Sequence, residues 1–308
     1  MSISKMVIAV QGLQSLIDSS GNIEGGQPEG LFGRKVIIQT KDLTIDGNKL
    51  DVEFTVPFDD DMEANEAEII VYNLSKNSRN MLKYNNAISI TAGYESDTGI
   101  VFSGYISKVV TSRDGNDIKT TITAIDSMEL KERKIDSIAY NAGVTASYIL
   151  KDLIKRSGLP LAVFKPRRDF TYKDSVTVDG ELMENIRKYA EVCGISAYIL
   201  KGKVYARYIK DGDNIEFEVS TDTGMVDSPE EFEEEVTAED YIDVVKGYKV
   251  KMLLQHRVTT AAIVTLKSRD VNGKYRVRSG QHVCGGNDFY TEMELLDGVT
   301  TTKKESKK

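Results

Sequence analysis

Two stretches of the chain follow one plan, and that repetition limits the possible folds more than any other feature. Residues 87–106, AISITAGYESDTGIVFSGYI, read as two strands joined by a short polar turn. Residues 262–277, AIVTLKSRDVNGKYRV, have the same layout. Each continues through a second polar turn, Asn116-Asp117 or Asn287-Asp288, into a third strand, IKTTITAI or FYTEMELL. Gly99 precedes Gly273 by 174 positions and Asp117 precedes Asp288 by 171, so the register drifts by three. Matched order, turns and spacing predict two domains of one antiparallel β-barrel design. Coincidence stays open as the alternative, because any two β meanders share alternation and glycine turns.

The rest of the chain divides around that repeat. Residues 1–32 hold Gly21, Gly25, Gly26, Pro28 and Gly30, and read as an N-terminal arm. Residues 33–136 form the first β-barrel domain. Val52, Phe54 and Val56 alternate there with Asp51, Glu53 and Thr55, and RDGND (113–117) carries the Asp-Gly hairpin signal. Ser75 is placed to cap one short helix in NLSKNSRNMLK. From 137 to 212 the period changes to that of a small α/β domain. Thr145 can cap a helix with a stripe of Ile149, Leu150, Leu153 and Ile154, ending at Gly158. A second helix carries Leu182, Ile186, Tyr189 and Ala190 and ends at Gly194, before a hairpin around Lys201-Gly202. Residues 213–298 form the second barrel domain, and 299–308 a disordered polar tail. Within the second domain, DSPEEFEEEVTAED (227–240) reads as an acidic helix or linker, because Ser228, Pro229 and Glu231 match a capping box with proline at the first helical position. The expected class is α+β, mainly β.

Composition excludes several functions. Among 308 residues there is no run of 18 apolar ones, so no membrane-spanning helix is expected and no membrane insertion. The opening MSISKMVIAVQ has too short an apolar run for a signal peptide, which points to synthesis in a cytosol. Formal net charge is −8 with scattered Lys and Arg, which argues against specific nucleic-acid binding. Cys193 and Cys284 lie far apart and read as reduced, buried thiols.

Three phrases carry a resemblance to a known family. NEAEIIVYNLS (65–75), ITAGYESDTGIVFSGYI (90–106) and GYKVKMLLQ…VNGKYRVRSGQHVCGGNDFYTEMEL (247–295) are similar to strands of the baseplate hub proteins of contractile phage tails and tail-like bacteriocins. The likeness covers about 65–130 and 240–296 well, the middle moderately and the first 32 residues hardly at all. It implies a virion structural protein, assembled in the bacterial cytoplasm as a homotrimer. Two tube-like barrels per chain would give a pseudo-sixfold ring. That ring would join a hexameric tail tube or tube-initiator protein to a trimeric central spike, with the tape measure protein as a further partner. On this account Tyr72, Asn73, Leu74, Gly93, Tyr94, Gly99, Gly104, Gly273 and Tyr275 are fold determinants.

Little in the sequence suggests catalysis. His256 and His282 are the only histidines and sit in no recognised catalytic frame. With Cys193 and Cys284 they could be drawn as a zinc site, but structural zinc sites show tight ligand pairs. KPRRDF (165–170) is the only basic cluster, and Gly285-Gly286 lacks the frame of a phosphate loop. No catalytic, cofactor or metal residue is therefore assigned. The alternative is a glycan- or peptidoglycan-binding tip, or a wall hydrolase component, using exposed Tyr198, Tyr205 and Tyr208 in the middle segment.

Overall fold

A computed structural model describes residues 31–60, 62, 64–126, 133–200, 202–238, 241–298 and 300–301. The N-terminal arm up to residue 30 and the tail from 302 onward lie outside the described residues.

The first unit contains β1 (Arg34–Thr40), β2 (Thr44–Asp46), β3 (Val52–Phe58), β4 (Glu66–Tyr72), α1 (Lys76–Met81), β5 (Ala87–Tyr94), β6 (Asp97–Asp114) and β7 (Asp117–Ile125). Alternation in β3 buries Val52, Phe54, Val56 and Phe58, because successive side chains on a strand point to opposite faces. These join Ile69, Ile90, Ile106 and Ile122 in one core. Ser75 caps α1 as its sequence implies, its hydroxyl accepting from the Ser78 N–H at 3.1 Å. At the β5–β6 turn, Gly93 has φ 148°, and a Cβ there would meet the Asp97 carbonyl at 2.2 Å.

The middle segment contains β8 (Lys134–Tyr140), α2 (Ala146–Ser157), β9 (Leu161–Phe164), β10 (Val176–Glu181), α3 (Leu182–Val192), β11 (Ser196–Leu200) and β12 (Lys203–Arg207). β8 runs across position 136 and pairs with β10, while β9, β12 and β11 form a second small sheet. Thr145 caps α2 through the Tyr148 N–H, and Gly158 closes it in the left-handed conformation. The apolar stripes of α2 and α3 meet in a separate core of Ile149, Leu153, Ile186 and Tyr189.

The last unit contains β13 (Asp211–Val219), β14 (Glu230–Ala238), β15 (Tyr241–Leu253), β16 (Ala262–Lys267), β17 (Asn272–Gly285), β18 (Asp288–Leu296) and β19 (Thr300–Thr301). The acidic helix or linker expected at 227–240 is a strand instead over Glu230–Ala238. β14 pairs antiparallel with β15 along its whole length, Glu233 forms an ion pair with Lys246, and the Phe232 ring lies against Gly247. Ser228, Pro229 and Glu231 are local signals, and pairing with a long neighbouring strand outweighs them. At the start of the expected tail, Thr300–Thr301 pairs with Asp211-Gly212.

The two units share one topology. β3–β4 is a hairpin, and the meander β5–β6–β7 returns so that β7 lies beside β4. β14–β15 is a hairpin, and β16–β17–β18 returns so that β18 lies beside β15. Moving 171 positions from β6–β7 lands on β17–β18 in register: Ile106 opposes Ala124, and Val277 opposes Leu295. Both ladders slip by one residue immediately afterwards, at Ser107 and at Arg278. Both hairpins turn on Gly-Asn, with φ 59° at Gly115 and 55° at Gly286. One neighbour differs, since β1 runs antiparallel to β5 whereas β13 runs parallel to β16. Gly99 and Gly273 fall outside the 171-residue register.

The units do not close into two barrels. Their strands form one open fourteen-stranded sheet in which β3 of the first unit pairs with β17 of the second. Cys284 opposes Phe54 and Gly280 opposes Phe58 across that seam. β14 and β2 end the main path, so the outer side of β14 has no strand partner among the described residues.

Candidate functional site

The seam between the units is the best-organised polar region of the molecule. Asp97, at the start of β6, accepts from Arg257 at 2.9 and 2.8 Å and from Gln255 at 3.3 Å, and lies 2.8 Å from His256 Nε2. Burial alone would raise the pKa of this carboxyl. Hydrogen bonds from His256 and Gln255 and the charges of His256 and Arg257 outweigh it and hold the carboxyl below its ordinary range. Gly99 is needed for the same contact, since a Cβ there would lie 2.1 Å from His256 Nδ1.

Further links lie along the seam. Arg34 in β1 donates to the Asn287 carbonyl at 2.6 Å, holding the β17–β18 turn against the first unit. The fully buried Arg276 donates to Asp60 at 2.7 Å and to the Asp211 carbonyl at 2.8 Å. His282 opposes Val56, packs on the Phe58 ring and lies 2.9 Å from the Thr291 hydroxyl. Burial first, then the neighbouring His256, depresses its pKa to about 3, so it is a neutral core histidine.

One face of the joined sheet is polar across both units. Glu53, Glu66, Glu68, Lys119, Thr121 and Thr123 occupy it in the first unit, opposite the buried residues of β3, β4 and β7. In the second unit Lys249 meets Glu294 at 3.4 Å and Lys251 meets Glu292 at 3.5 Å, with Ser279 and Gln281 donating to those glutamates at 2.8 Å. An open cleft of about 560 Å³ borders this ladder, reaching Phe58 and Glu230. Glu292 and Glu294 are thus matched by ammonium groups, a hydroxyl and an amide.

The residues considered for chemistry are dispersed. Cys193 belongs to the middle core, and Cys284 donates weakly to the Val52 carbonyl at 3.5 Å on the seam. Burial raises both thiols to about 11, far from the reactive range. Among the described residues no group of three or more His, Cys, Asp or Glu is arranged to hold a metal. Tyr198, named for a glycan surface, is buried; it stacks on Tyr205 at 5.3 Å and its hydroxyl accepts twice from Arg207. Arg207 also binds Asp213 at 2.9 Å, and Tyr208 lies under Arg167. Tyr198 thus joins the middle segment to the second unit through Arg207 and Asp213, whereas the contacts of Tyr205 with Tyr198 and of Tyr208 with Arg167 stay within the middle segment. The KPRRDF cluster is absorbed locally: Arg168 donates to the C-terminal carbonyls of α3, and Asp169 accepts from the Ser147 backbone at the start of α2. Asp97, Arg257, Asp60 and Arg276 were not singled out by sequence, since nothing local marks residues that meet across some 160 or 216 positions.

A family model described as Baseplate hub gp41 matches residues 35–292. The chain belongs to that family. It is therefore a member of a phage tail baseplate family, and the similar solved structures are tail and secretion proteins. The 43 kDa tail protein of prophage MuSo2 from Shewanella oneidensis is 9% identical with a TM-score of 0.61, over 86% of this chain and 100% of that one. A tail protein from Neisseria meningitidis MC58 is 9% identical with a TM-score of 0.60, covering 86% and 97%. An E. coli component of the type VI secretion system, described as similar to the T4 tail proteins gp27 and gp5, is 9% identical at 0.56, covering 84% and 76%. At these identities the likeness establishes a common fold. A search of curated protein sequences finds no significant match.

Proposed function

We propose that this hub acts as a trimer whose two barrel-like units per chain stand in a pseudo-sixfold ring. The ring joins a hexameric tail tube on one side to a threefold central spike on the other, with the tape measure protein in the channel. One observation carries the reading: two units of equal topology are fused edge to edge through β3 and β17 into a single sheet. Three such chains supply six near-equivalent units, the simplest match between threefold and sixfold neighbours. The polar face of the sheet lines the channel, where an acidic chain of charge −8 repels passing nucleic acid instead of binding it. Three parts serve this role: the β units at 33–136 and 213–298, and the α/β segment at 137–212 as an outer platform. The chain is a structural component without a catalytic centre, and it assembles in the bacterial cytoplasm before incorporation into the baseplate.

Native mass measurement across a concentration series tests the reading, together with co-sedimentation on purified tail tube protein and on the spike. The expected result is a species near 103 kDa, three times 34.3 kDa, that binds both. A monomer at every concentration that binds neither would overturn it.

A further inference from the structure

The internal repeat predicts more than symmetry, because one of its strand contacts is made inside the chain and the matching one is left open. β17 has two halves. Asn272–Arg276 pairs with β16, and Gly280–Cys284 pairs on the same outer side with β3. β6 is built the same way: Asp97–Tyr105 pairs with β5, but the segment after the Ser107 bulge has only β7 beside it. Among the described residues its other edge makes no backbone ladder beyond Ile106. The strand equivalent to β3 is β14, and that too is open on its outer side. Each unit therefore carries the same pair of edges, and two of the four are already joined.

We propose that β14 of one copy pairs with the open half of β6 in a second copy, antiparallel and in the register that β3 and β17 already display. This rests on the ring reading above and deepens it by naming the contact. The register follows by arithmetic. β6 maps on β17 with an offset of 171, so Val109, Val110, Thr111 and Ser112 stand for Gly280, Gln281, His282 and Val283. β4 maps on β15 with an offset of 181, since Glu66 opposes Ile125 as Gly247 opposes Leu296. Through their own ladders β3 then maps on β14 with an offset of 175, so Thr55, Val56, Pro57 and Phe58 stand for Glu230, Glu231, Phe232 and Glu233. Gln281 opposes Pro57 and His282 opposes Val56 within the chain. Between chains, Val110 therefore opposes Phe232 and Thr111 opposes Glu231.

The side chains suit that placement. Val110 is 45% exposed, one of the few large apolar residues left at the surface, and Phe232 is only half-buried. Pairing them would cover both. Glu230, Glu231 and Glu233 are exposed along β14, and Lys108 and Arg113 are exposed along β6, so the edges are opposite in charge. Arg113 falls diagonally across from Glu231, within reach of a long side chain. A second copy is the favoured occupant because this chain supplies both edges and already demonstrates their equivalent pairing. The contact is heterologous, and three repetitions of it close a ring of six units. It also removes the exposed strand edges that otherwise invite aggregation.

Engineered disulfides read the register directly. Adjacent antiparallel pairs alternate in Cα separation between about 4.5 and 5.5 Å, both within disulfide range. The full chain carrying Thr111→Cys with Glu231→Cys, and a second carrying Val110→Cys with Phe232→Cys, are oxidised and run on non-reducing gels. Chains carrying only one of the two substitutions beside the native Cys193 and Cys284, and a pairing shifted to Thr111→Cys with Glu233→Cys, serve as controls. Covalent dimers and trimers from the matched pairs, ending at the trimer, support the seam. Trimers in native mass spectra without crosslinks from either matched pair overturn the seam and leave the ring reading standing. Crosslinked ladders extending past the trimer support the seam and overturn the closed ring. A chain that stays monomeric and uncrosslinked overturns both. As a reciprocal test, Arg113→Glu should raise the concentration for half-assembly about tenfold, with recovery on adding Glu231→Arg. Lack of recovery in a folded double variant counts against the register.

Discussion

Arg257 holds Asp97 with both terminal nitrogens, at 2.9 and 2.8 Å, although 160 positions separate them. The carboxylate comes from the first β unit and the guanidinium from the second. This bidentate pair, reinforced by His256, fixes the angle between units more firmly than the β3–β17 ladder could alone.

Asp97→Asn should therefore destabilise the chain by about 2 kcal/mol, the cost of leaving a partly buried guanidinium without its carboxylate. Urea denaturation at pH 7 measures it. The pH dependence follows from the depressed pKa of this carboxyl. Its contribution is complete above the unfolded value, about 3.9, and disappears as pH falls through the lower folded value. The asparagine variant should lack that acid-sensitive component.

Gly99→Ala tests the same junction from the other side. The new methyl would lie 2.1 Å from His256 Nδ1, so the imidazole must leave Asp97. A loss of about 1–3 kcal/mol is expected. Adding His256→Ala should make the glycine substitution nearly neutral, which a double-mutant cycle would record.

His282 should make the seam acid-labile at milder pH than Asp97 does. Its pKa falls from 6.5 to about 3 on folding, so the unfolded chain binds a proton that the folded chain refuses. Stability from this group is complete above 6.5 and declines as pH falls, by about 1.4 kcal/mol per unit well inside that window. His282→Asn should show a shallower decline between pH 6.5 and 4.5 in thermal melts.

Tyr198→Phe removes the acceptor for two donors of Arg207, at 2.9 and 2.6 Å, and keeps the ring stack on Tyr205. Because Arg207 is 3% exposed, a loss of about 1–3 kcal/mol is expected. Limited proteolysis should find the middle segment released earlier than in the parent chain.

What sequence could reveal depended on distance along the chain. Ser75 and Thr145 as caps, Gly158 and Gly194 as helix ends and the Gly115 and Gly286 turns are governed by neighbours within a few residues, and all are found in place. The alternation of β3 and the stripe of α2 were legible for the same reason. β14 was misread because its glutamates and Ser228 favour a helix locally, while its strand state comes from β15. The Asp97 and Arg276 clusters were invisible because their partners are remote. The seam itself left no local trace, since β3 is as regular a strand with β17 as without it.

Those long separations also set an order of events during synthesis. Phe58 meets Gly280 across the seam, so β3 waits for 222 more residues before its outer partner exists. At about 5–20 residues per second the ribosome needs roughly 10–45 s to supply them. Throughout that interval the outer backbone N–H and C=O groups of β3 in the nascent first unit have no ladder partner, an edge of the kind on which another chain can template itself.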